Sequence, residues 1–423
     1  MREVGGYLPA MNLPLVILIG VLTLIAFRRV GRLRLGIWQI VLAGAVVVVL
    51  TAGIAPGAAW AAIDWAVIGF LFGVFVLGQA LVDSGLLYRT STRLLGRIAR
   101  ADTLLLAVLF GSGLASALLM NDTLAVIGTA LVLQLARDHR IDARLLLLTL
   151  AFGVTLGSAA SPIGNPQNLL IAIHGPVPAP FLSFARALAI PTLLNLLLSY
   201  GVLRWRYRHA FHRAPLVHPQ ITLRDPALAR LAWAGVAAMV AAIVLRTAVI
   251  SVRPDVHVPL SAVALAGALP VLLFSPRRVR LVRSIDWSTL VFFAAMFVLM
   301  ASVWHTGILQ QLSADRAPQL ATPAGVLGVS VLLSQLISNV PLVALYLPYL
   351  QTLQADPTVL LALAAGSTIA GNLLILGAAS NVIIIQRAER HGETLDFLEF
   401  ARTGIPVTAI NVLVYALYLR CGG

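Results

Sequence analysis

The residues best placed to do chemistry form one run, Ser158-Ala159-Ala160-Ser161-Pro162-Ile163-Gly164-Asn165-Pro166-Gln167-Asn168. It holds two serines, two asparagines, two prolines and a glycine between apolar flanks, 145–157 and 169–173. Each proline removes a backbone N–H and obstructs the preceding helical turn. Open backbone beside Ser161, Gly164, Asn165, Pro166 and Asn168 offers carbonyls, N–H groups and neutral side-chain oxygens. Carbonyls and helix C-termini suit a cation, and helix N-termini suit an anion. The chemistry is therefore reversible ion binding, not covalent catalysis. Similar groups recur at Asn121-Asp122-Thr123, Ser338-Asn339-Val340-Pro341, Ser367-Thr368, Asn372 and Gly377-Ala378-Ala379-Ser380-Asn381. A sodium ion would be held near Asn121, Asp122, Asn165, Asn339 and Asn381. The coupling ion, Na⁺ or H⁺, is the one cofactor expected; the sequence carries no metal-ligand cluster, phosphate loop or nucleophile triad.

These groups need elements to hold them, and composition says where those lie. The chain is 60% hydrophobic and 11% charged, with a mean hydropathy of +0.94. That is the signature of a helical polytopic membrane protein. Polar backbone at membrane depth is tolerated only inside protein or beside a water-filled cavity. The net charge of +14 does not indicate nucleic acid, because the arginines fall between apolar spans, where they orient the chain in the bilayer. The single cysteine, Cys421, excludes an internal disulfide. Residues 13–27 are followed by arginines and not by a small-residue cleavage site, so no cleavable leader is expected.

Apolar segments run over 13–27, 37–56, 65–87, 103–136, 145–173, 187–203, 229–250, 258–274, 287–304, 324–355, 358–385 and 403–419. Arginines follow the first, third, fourth, sixth, eighth and eleventh of these. All can be cytoplasmic only if 103–136 enters and leaves on one side, and 324–355 on the other. Both then read as re-entrant hairpins with polar tips. The expected fold is all-α, with about ten transmembrane helices, two re-entrant hairpins and two broken helices, 145–173 and 358–385, and with both termini outside. Asn121-Asp122-Thr123 also fits a glycosylation sequon, but a buried tip is no acceptor.

An internal repeat supports this scheme. Ile63-Asp64-Trp65 recurs as Ile285-Asp286-Trp287, Phe75-Val76-Leu77 as Phe297-Val298-Leu299, and Asp83-Ser84-Gly85-Leu86 as His305-Thr306-Gly307-Ile308. One offset relates all three (285 − 63, 297 − 75 and 305 − 83 give 222). Gly164–Asn168 aligns with Gly377–Asn381 after a small slip. The organisation is thus a first repeat over 1–203, a cytoplasmic linker over 204–228 and a second repeat of inverted topology over 229–423. Inverted repeats with broken helices at matching positions point to a secondary transporter with its site near mid-membrane. Asp122 is the one acid expected deep in the membrane, where a carboxylate marks function. Asp64 and Asp286 read as helix caps, Asp83 and His305 as boundary residues, Arg246 as snorkelling and His174 as solvated. Gly153 and Gly157 read as a close-packing pair.

On Ser161–Asn168, Ser334-Gln335-Leu336-Ile337-Ser338-Asn339-Val340-Pro341 and Asn121-Asp122, the chain resembles the ArsB/NhaD-type ion transporter superfamily. Within it the nearest resemblance is to YbiR-like inner-membrane anion permeases. The divalent anion/sodium symporters are more distant relatives. They carry Ser-Asn-Thr at both hairpin tips, whereas here the tips read Asn-Asp-Thr and Ser-Asn-Val. The resemblance implies a scaffold domain, often a homodimer, and a moving transport domain in the bacterial inner membrane. The leading functional expectation is a small inorganic or organic anion moved by alternating access with Na⁺ or H⁺. A Na⁺/H⁺ antiporter and an arsenite or antimonite efflux permease are the alternatives. A channel fits a doubled broken-helix site less well. The partners expected are the small ion substrate, the bilayer and a second copy of the chain, not nucleic acid.

Overall fold

The computed structural model describes residues 13–27, 29–30, 33–34, 36–86, 89–90, 98, 100–210, 225–253, 258–307 and 321–420. Cys421 and the linker's 211–224 lie outside them. The described residues contain eighteen α-helices of seven residues or more, and they fall into two series of nine. The first comprises α1 (Leu13–Phe27), α2 (Ile37–Leu50), α3 (Pro56–Ala62), α4 (Trp65–Asp83), α5 (Ala101–Leu119), α6 (Asn121–His139), α7 (Ala143–Ala159), α8 (Pro166–His174) and α9 (Pro180–Arg206). The second comprises α10 (Pro226–Val252), α11 (Leu260–Phe274), α12 (Arg278–Ser284), α13 (Trp287–Trp304), α14 (Pro323–Ile337), α15 (Asn339–Thr352), α16 (Pro357–Ile369), α17 (Ala379–Glu389) and α18 (Phe397–Arg420). A two-residue β-ladder, Arg29–Val30 with Leu33–Arg34, lies between α1 and α2.

The two series match element by element, including features the sequence did not advertise. Seven-residue helices α3 and α12 precede the equivalent spans α4 and α13. The segment 37–56 is therefore not one span: α2 ends at Leu50, and Pro56 starts α3. Asp64 and Asp286 cap α4 and α13 as expected, accepting from the N–H groups of Ala66 and Val67, and of Thr289. Positive-φ glycines follow both spans, Gly85 at 75° and Gly307 at 72°.

Among the described residues six helices, α4, α5, α9, α10, α13 and α18, are long and apolar enough to cross a membrane, and shorter apolar helices accompany them. Leu193, Leu197, Val244, Leu245, Leu332 and Leu336 are exposed on these surfaces, as lipid-facing side chains must be.

By contacts, the chain forms two compact units, Met1–Ile68 with Asp286–Ala317, and Gly69–Ile285 with Pro318–Gly423. In the first, α13 packs on α1, α2 and α3. The second contains both hairpins and both broken helices.

The hairpin geometry follows from the register of close approaches. A Cβ on Gly153 would sit 2.8 Å from the Leu109 carbonyl, and one on Gly157 2.2 Å from Gly113 Cα. Position 109 thus meets 153 and 113 meets 157, so α5 and α7 run parallel. This is the close packing expected of Gly153 and Gly157. Position 128 meets Leu150 and the Asn121 N–H donates to the Gly164 carbonyl at 2.9 Å, so α6 runs antiparallel to α7. Helices α5 and α6 therefore fold back on each other at Met120. By length α5 could cross alone, about 28 Å at 1.5 Å per residue, yet its end is tied to the break after α7. The second hairpin, α14 and α15, turns at Ser338. Leu327 and Ser330 lie against Gly366, and the Gln335 amide donates to the Ala370 carbonyl at 2.8 Å. So α14 runs parallel to α16, repeating the α5–α7 pairing.

Orientation is inverted between halves. Asn165 at the start of α8 meets Thr368 near the end of α16, whereas Gly175 past the end of α8 lies against Leu360 near the start of α16. The ends of α8 and α15 meet where the Gln351 amide donates to the His174 carbonyl at 2.6 Å. At the opposite end, Arg204 pairs with Asp102, and Arg144 with Glu399 at 3.4 Å. The Tyr207 hydroxyl donates to the same Glu399 at 2.8 Å. Burial, with that carboxylate beside it, pushes the Tyr207 phenol above its usual range, so it is a neutral donor at physiological pH. The starts of α5, α7 and α18 and the end of α9 thus share one face, the face on which the arginines had to gather.

Candidate functional site

Both expected breaks exist. Helix α7 stops at Ala159, residues 160–165 are non-helical, and Pro166 opens α8 at the first helical position, where its missing N–H costs nothing. Helix α16 stops at Ile369, two short 3₁₀ turns follow (Ala370–Asn372 and Ile375–Gly377), and α17 begins at Ala379. All of 158–168 except Ala160 is buried. Gly164 is required by space, because a Cβ there would sit 2.4 Å from the Ser158 carbonyl. At Gly377 a Cβ would meet the Ala370 carbonyl at 2.7 Å and the Gln335 side-chain oxygen at 2.8 Å.

The first break is held by its own amides. Asn165 is the N-cap of α8: its Oδ1 accepts from the Asn168 N–H at 2.8 Å. Its Nδ2 donates to Ser158 Oγ and to Thr368 Oγ1, each at 3.0 Å. Asn168 Nδ2 lies among three carbonyls, those of Ser158 (3.1 Å), Ala159 (3.3 Å) and Ser161 (3.0 Å). Thr368 closes the circuit by donating to Asn168 Oδ1 at 3.3 Å. A residue of the second half thus ties together the break of the first. Ser161 Oγ accepts from the Ile163 N–H at 3.3 Å and shapes the turn.

The second break is less complete. Asn381 Nδ2 donates to the Gly371 carbonyl, just as Asn168 does to Ser158, ten residues back in each case. Asn372 Nδ2 donates to Asn411 Oδ1 at 3.3 Å. Several buried atoms make no hydrogen bond: Asn381 Oδ1, Ser380 Oγ, Asn372 Oδ1, Asn339 Oδ1, Ser334 Oγ and Thr155 Oγ1. Ser367 differs from its neighbours, since its hydroxyl donates back to the Leu363 carbonyl at 2.7 Å, within its own helix.

At the hairpin tips the turn residues are Met120 (φ 68°, ψ 142°) and Ser338 (φ 67°, ψ 162°). Both occupy a region that non-glycine residues enter only when their surroundings over-determine them. The matching strain in both halves starts α6 and α15 at Asn121 and Asn339, so each tip presents a helix N-terminus. Asn121 Oδ1 accepts from the Asp122 N–H at 2.9 Å. Asp122 and Thr123 are half-buried, and Thr123 packs against Gly78 of α4. Pro341, buried in the first turn of α15, leaves that turn one N–H fewer to satisfy.

The structure therefore brings Ser161, Gly164, Asn165, Pro166, Asn168 and Thr368 into one network, with Asn121 joined to it through Gly164. Asn372, Gly377, Ser380 and Asn381 gather at the other break. Asn339 and Pro341 sit at the tip of the hairpin whose first arm holds that break through Gln335. Ser158, the first residue of the run singled out in the sequence, lines the first break. Other residues were not anticipated. Thr155 lies against Gly371 of the second break, and it corresponds to Thr368 under the 213-residue offset that aligns Asn168 with Asn381. A Thr-x-x-Asn pair also recurs, Thr192/Asn195 on α9 and Thr408/Asn411 on α18, all four buried. The repeat itself was the signal that could have found them. Arg246 does not simply snorkel; its Nε donates to the Val258 carbonyl at 2.9 Å, two residues before α11 begins. Among the described residues no group of three or more His, Cys, Asp or Glu side chains could hold a metal.

Comparison with known proteins agrees with this architecture. The fold is similar to that of the YdaH transporter of Alcanivorax borkumensis, with TM-score 0.59 and 16% identity over 96% of each chain. In sequence the chain is 31% identical to an uncharacterized transporter of Mycobacterium tuberculosis over 377 residues, covering 84% of this chain and 86% of that one. It is 25% identical to the human P protein over 84% of this chain and 53% of that protein. The family model described as "CitMHS: Citrate transporter" matches residues 22–358. The resemblance to the ArsB/NhaD-type superfamily thus narrows to one branch: the chain belongs to the CitMHS family of membrane transporters.

Proposed function

We propose that this protein is a secondary active transporter of a small anion in the bacterial inner membrane. A carboxylate of the citrate kind is the first substrate to test. The observation that carries this reading is the pair of buried helix breaks, related by inverted topology and bridged by Thr368 to Asn165 and Asn168. The N-termini of α6, α8, α15 and α17 at the tips and breaks favour negative charge, and the C-termini of α7 and α16 favour a cation. An anion and a coupling cation, Na⁺ or H⁺, can then share the site, and movement of the hairpin-bearing domain would expose it to each side in turn. The arginine-rich face is cytoplasmic on this reading, both termini are outside, and the chain works as a homodimer.

One observation favours a second reading, Na⁺/H⁺ antiport. Asp122, a carboxylate, sits half-buried in the first turn of α6 at the hairpin tip, and an intramembrane carboxylate is suited to exchanging a proton for a cation. The two readings separate on thermal stabilisation of the purified protein by citrate, phosphate, sulfate and chloride, with sodium or choline as counter-ion, at two pH values. A ligand bound only by the folded state raises stability by mass action. Stabilisation by one of the oxyanions supports anion transport. Stabilisation by sodium alone, lost in Asp122→Asn, supports antiport.

A further inference from the structure

The two breaks are built on one plan but finished differently. Under the 213-residue offset, Asn168 corresponds to Asn381, Thr368 to Thr155, Ser158 to Gly371 and Asn165 to Ala378. The first two pairs keep their chemistry across the halves. The last two do not, and the structure shows the consequence.

In the first break the Asn165 amide nitrogen fills the space between two hydroxyls, Ser158 Oγ and Thr368 Oγ1, at 3.0 Å from each. Asn168 Oδ1 is satisfied in turn by Thr368. In the second break Ala378 takes the same extended backbone conformation (φ −140°, ψ 143°) as Asn165 (φ −154°, ψ 163°) and the same N-cap position, but it has no side chain to cap with. The residues equivalent to those that Asn165 ties together are all present and close. A Cβ on Gly371 would lie 2.7 Å from Ala378 Cβ and 3.3 Å from Thr155 Cγ2, and Asn381 bonds the Gly371 carbonyl. With the amide missing, Thr155 Oγ1 and Asn381 Oδ1 have no hydrogen-bond partner, although each residue is only 1% exposed.

Buried polar atoms left without partners are costly and call for an occupant. The absent group is a donor that carries partial positive charge between oxygens. What remains is a buried hydroxyl oxygen and a buried amide oxygen without partners, on two residues that both lie against Gly371, and the unwound backbone past the C-terminus of α16, where the helix dipole favours positive charge. We infer that a sodium ion takes the place of the missing asparagine amide, held by Thr155 Oγ1, Asn381 Oδ1 and the Gly371 carbonyl, and that the equivalent position in the first half is closed by Asn165. The protein then binds one sodium at its helix breaks, not a symmetric pair. The N-terminus of α17, uncapped at Ala378, lies beside this position and favours an anion there, so each ion strengthens the binding of the other. This rests on the transporter reading above and specifies its coupling ion and its stoichiometry at the breaks.

The test is ²²Na⁺ binding to the purified full chain, with choline chloride holding ionic strength constant. Ala378→Asn restores the amide and should abolish saturable sodium binding at the breaks. Thr155→Val, nearly isosteric, should weaken it at least tenfold and carries the test should Ala378→Asn misfold. The wild-type protein should bind one sodium that both variants affect. Wild-type binding by Ala378→Asn, or by a folded Thr155→Val, would overturn the inference. So would two equivalent sodium ions per chain, or identical behaviour in sodium and choline, which would mean that water fills the gap. A protein stabilised by citrate but indifferent to sodium would end this inference and leave the transporter reading standing. A protein indifferent to every anion and to sodium would end both.

Discussion

Replacing Gly157 by alanine tests whether the hairpin is locked to the broken helix. A Cβ at 157 would lie 2.2 Å from Gly113 Cα, 2.2 Å from its carbonyl oxygen and 2.4 Å from its carbonyl carbon. These are backbone atoms of the neighbouring helix, so no side chain can swing aside. Ordinary carbon–carbon contact is roughly 3.5–4.0 Å, so α5 and α7 must separate by more than about 1 Å. Overpacking of this kind costs roughly 1–3 kcal/mol. The same displacement draws Met120 and Asn121 away from Gly164, stretching the 2.9 Å bond that fixes the hairpin tip. Transport should therefore fall further than stability alone explains. Gly111→Ala, on the facing helix α5 with nothing within 4 Å of its Cβ, is the control and should behave as wild type or slightly better. Equilibrium unfolding in mixed micelles and uptake into proteoliposomes read the two effects. A Gly157→Ala protein that unfolds and transports like Gly111→Ala would refute the parallel α5–α7 packing.

Further substitutions probe the rest of the site. Asn165→Ala removes an N-cap and leaves Ser158 Oγ and Thr368 Oγ1 without their donor, and should cost roughly 2–4 kcal/mol, measured by unfolding of the purified protein. Asn165→Asp keeps the cap oxygen but donates nothing, so it should lose nearly as much and gain cation affinity. Ala378→Asn supplies the cap that α17 lacks and should stabilise the chain by about 0.5–2 kcal/mol, visible as a raised melting temperature in sodium-free buffer. Ser338→Gly relieves a positive-φ strain on the order of 1–3 kcal/mol at a half-buried residue, and should raise stability. Met120→Gly relieves the same strain but empties a fully buried side chain, a loss of roughly 2–5 kcal/mol, so its net effect should be destabilising. Arg144→Ala breaks only a partly exposed ion pair with Glu399 and should change stability by less than about 1 kcal/mol.

Much of this architecture could be read from the chain because its causes are local. Proline and glycine between apolar runs broke α7 from α8, and the arginines forced 101–139 to turn back at its middle. Asp64 and Asp286 announced their caps by position. Other features arise only from packing. The strained turns fall on Met120 and Ser338, one residue before the asparagines that drew attention, because a helix N-terminus needs its turn completed ahead of it. The split of 37–62 into α2 and α3 hinged on Pro56. Thr155 looks like any buried threonine until Gly371 lies beside it. The difference between Asn165 and Ala378 is visible in the sequence, but its meaning depends on knowing what Asn165 touches. Likewise α5 is apolar and long enough to be a span, and its register against α7 bears out the hairpin that the arginine distribution required.

Two inverted, buried helix breaks that form a saturable anion site worked by alternating access would concentrate their substrate when a coupling gradient is supplied. The most direct measurement is uptake of radiolabelled citrate, with phosphate and sulfate in parallel, into proteoliposomes under an imposed inward sodium or proton gradient. One of these anions should accumulate saturably above its equilibrium level, an accumulation dissipated when the gradient collapses and lost in Asn165→Ala. Flux that neither saturates nor responds to either gradient, or that survives unchanged in Asn165→Ala, would contradict alternating access at these breaks.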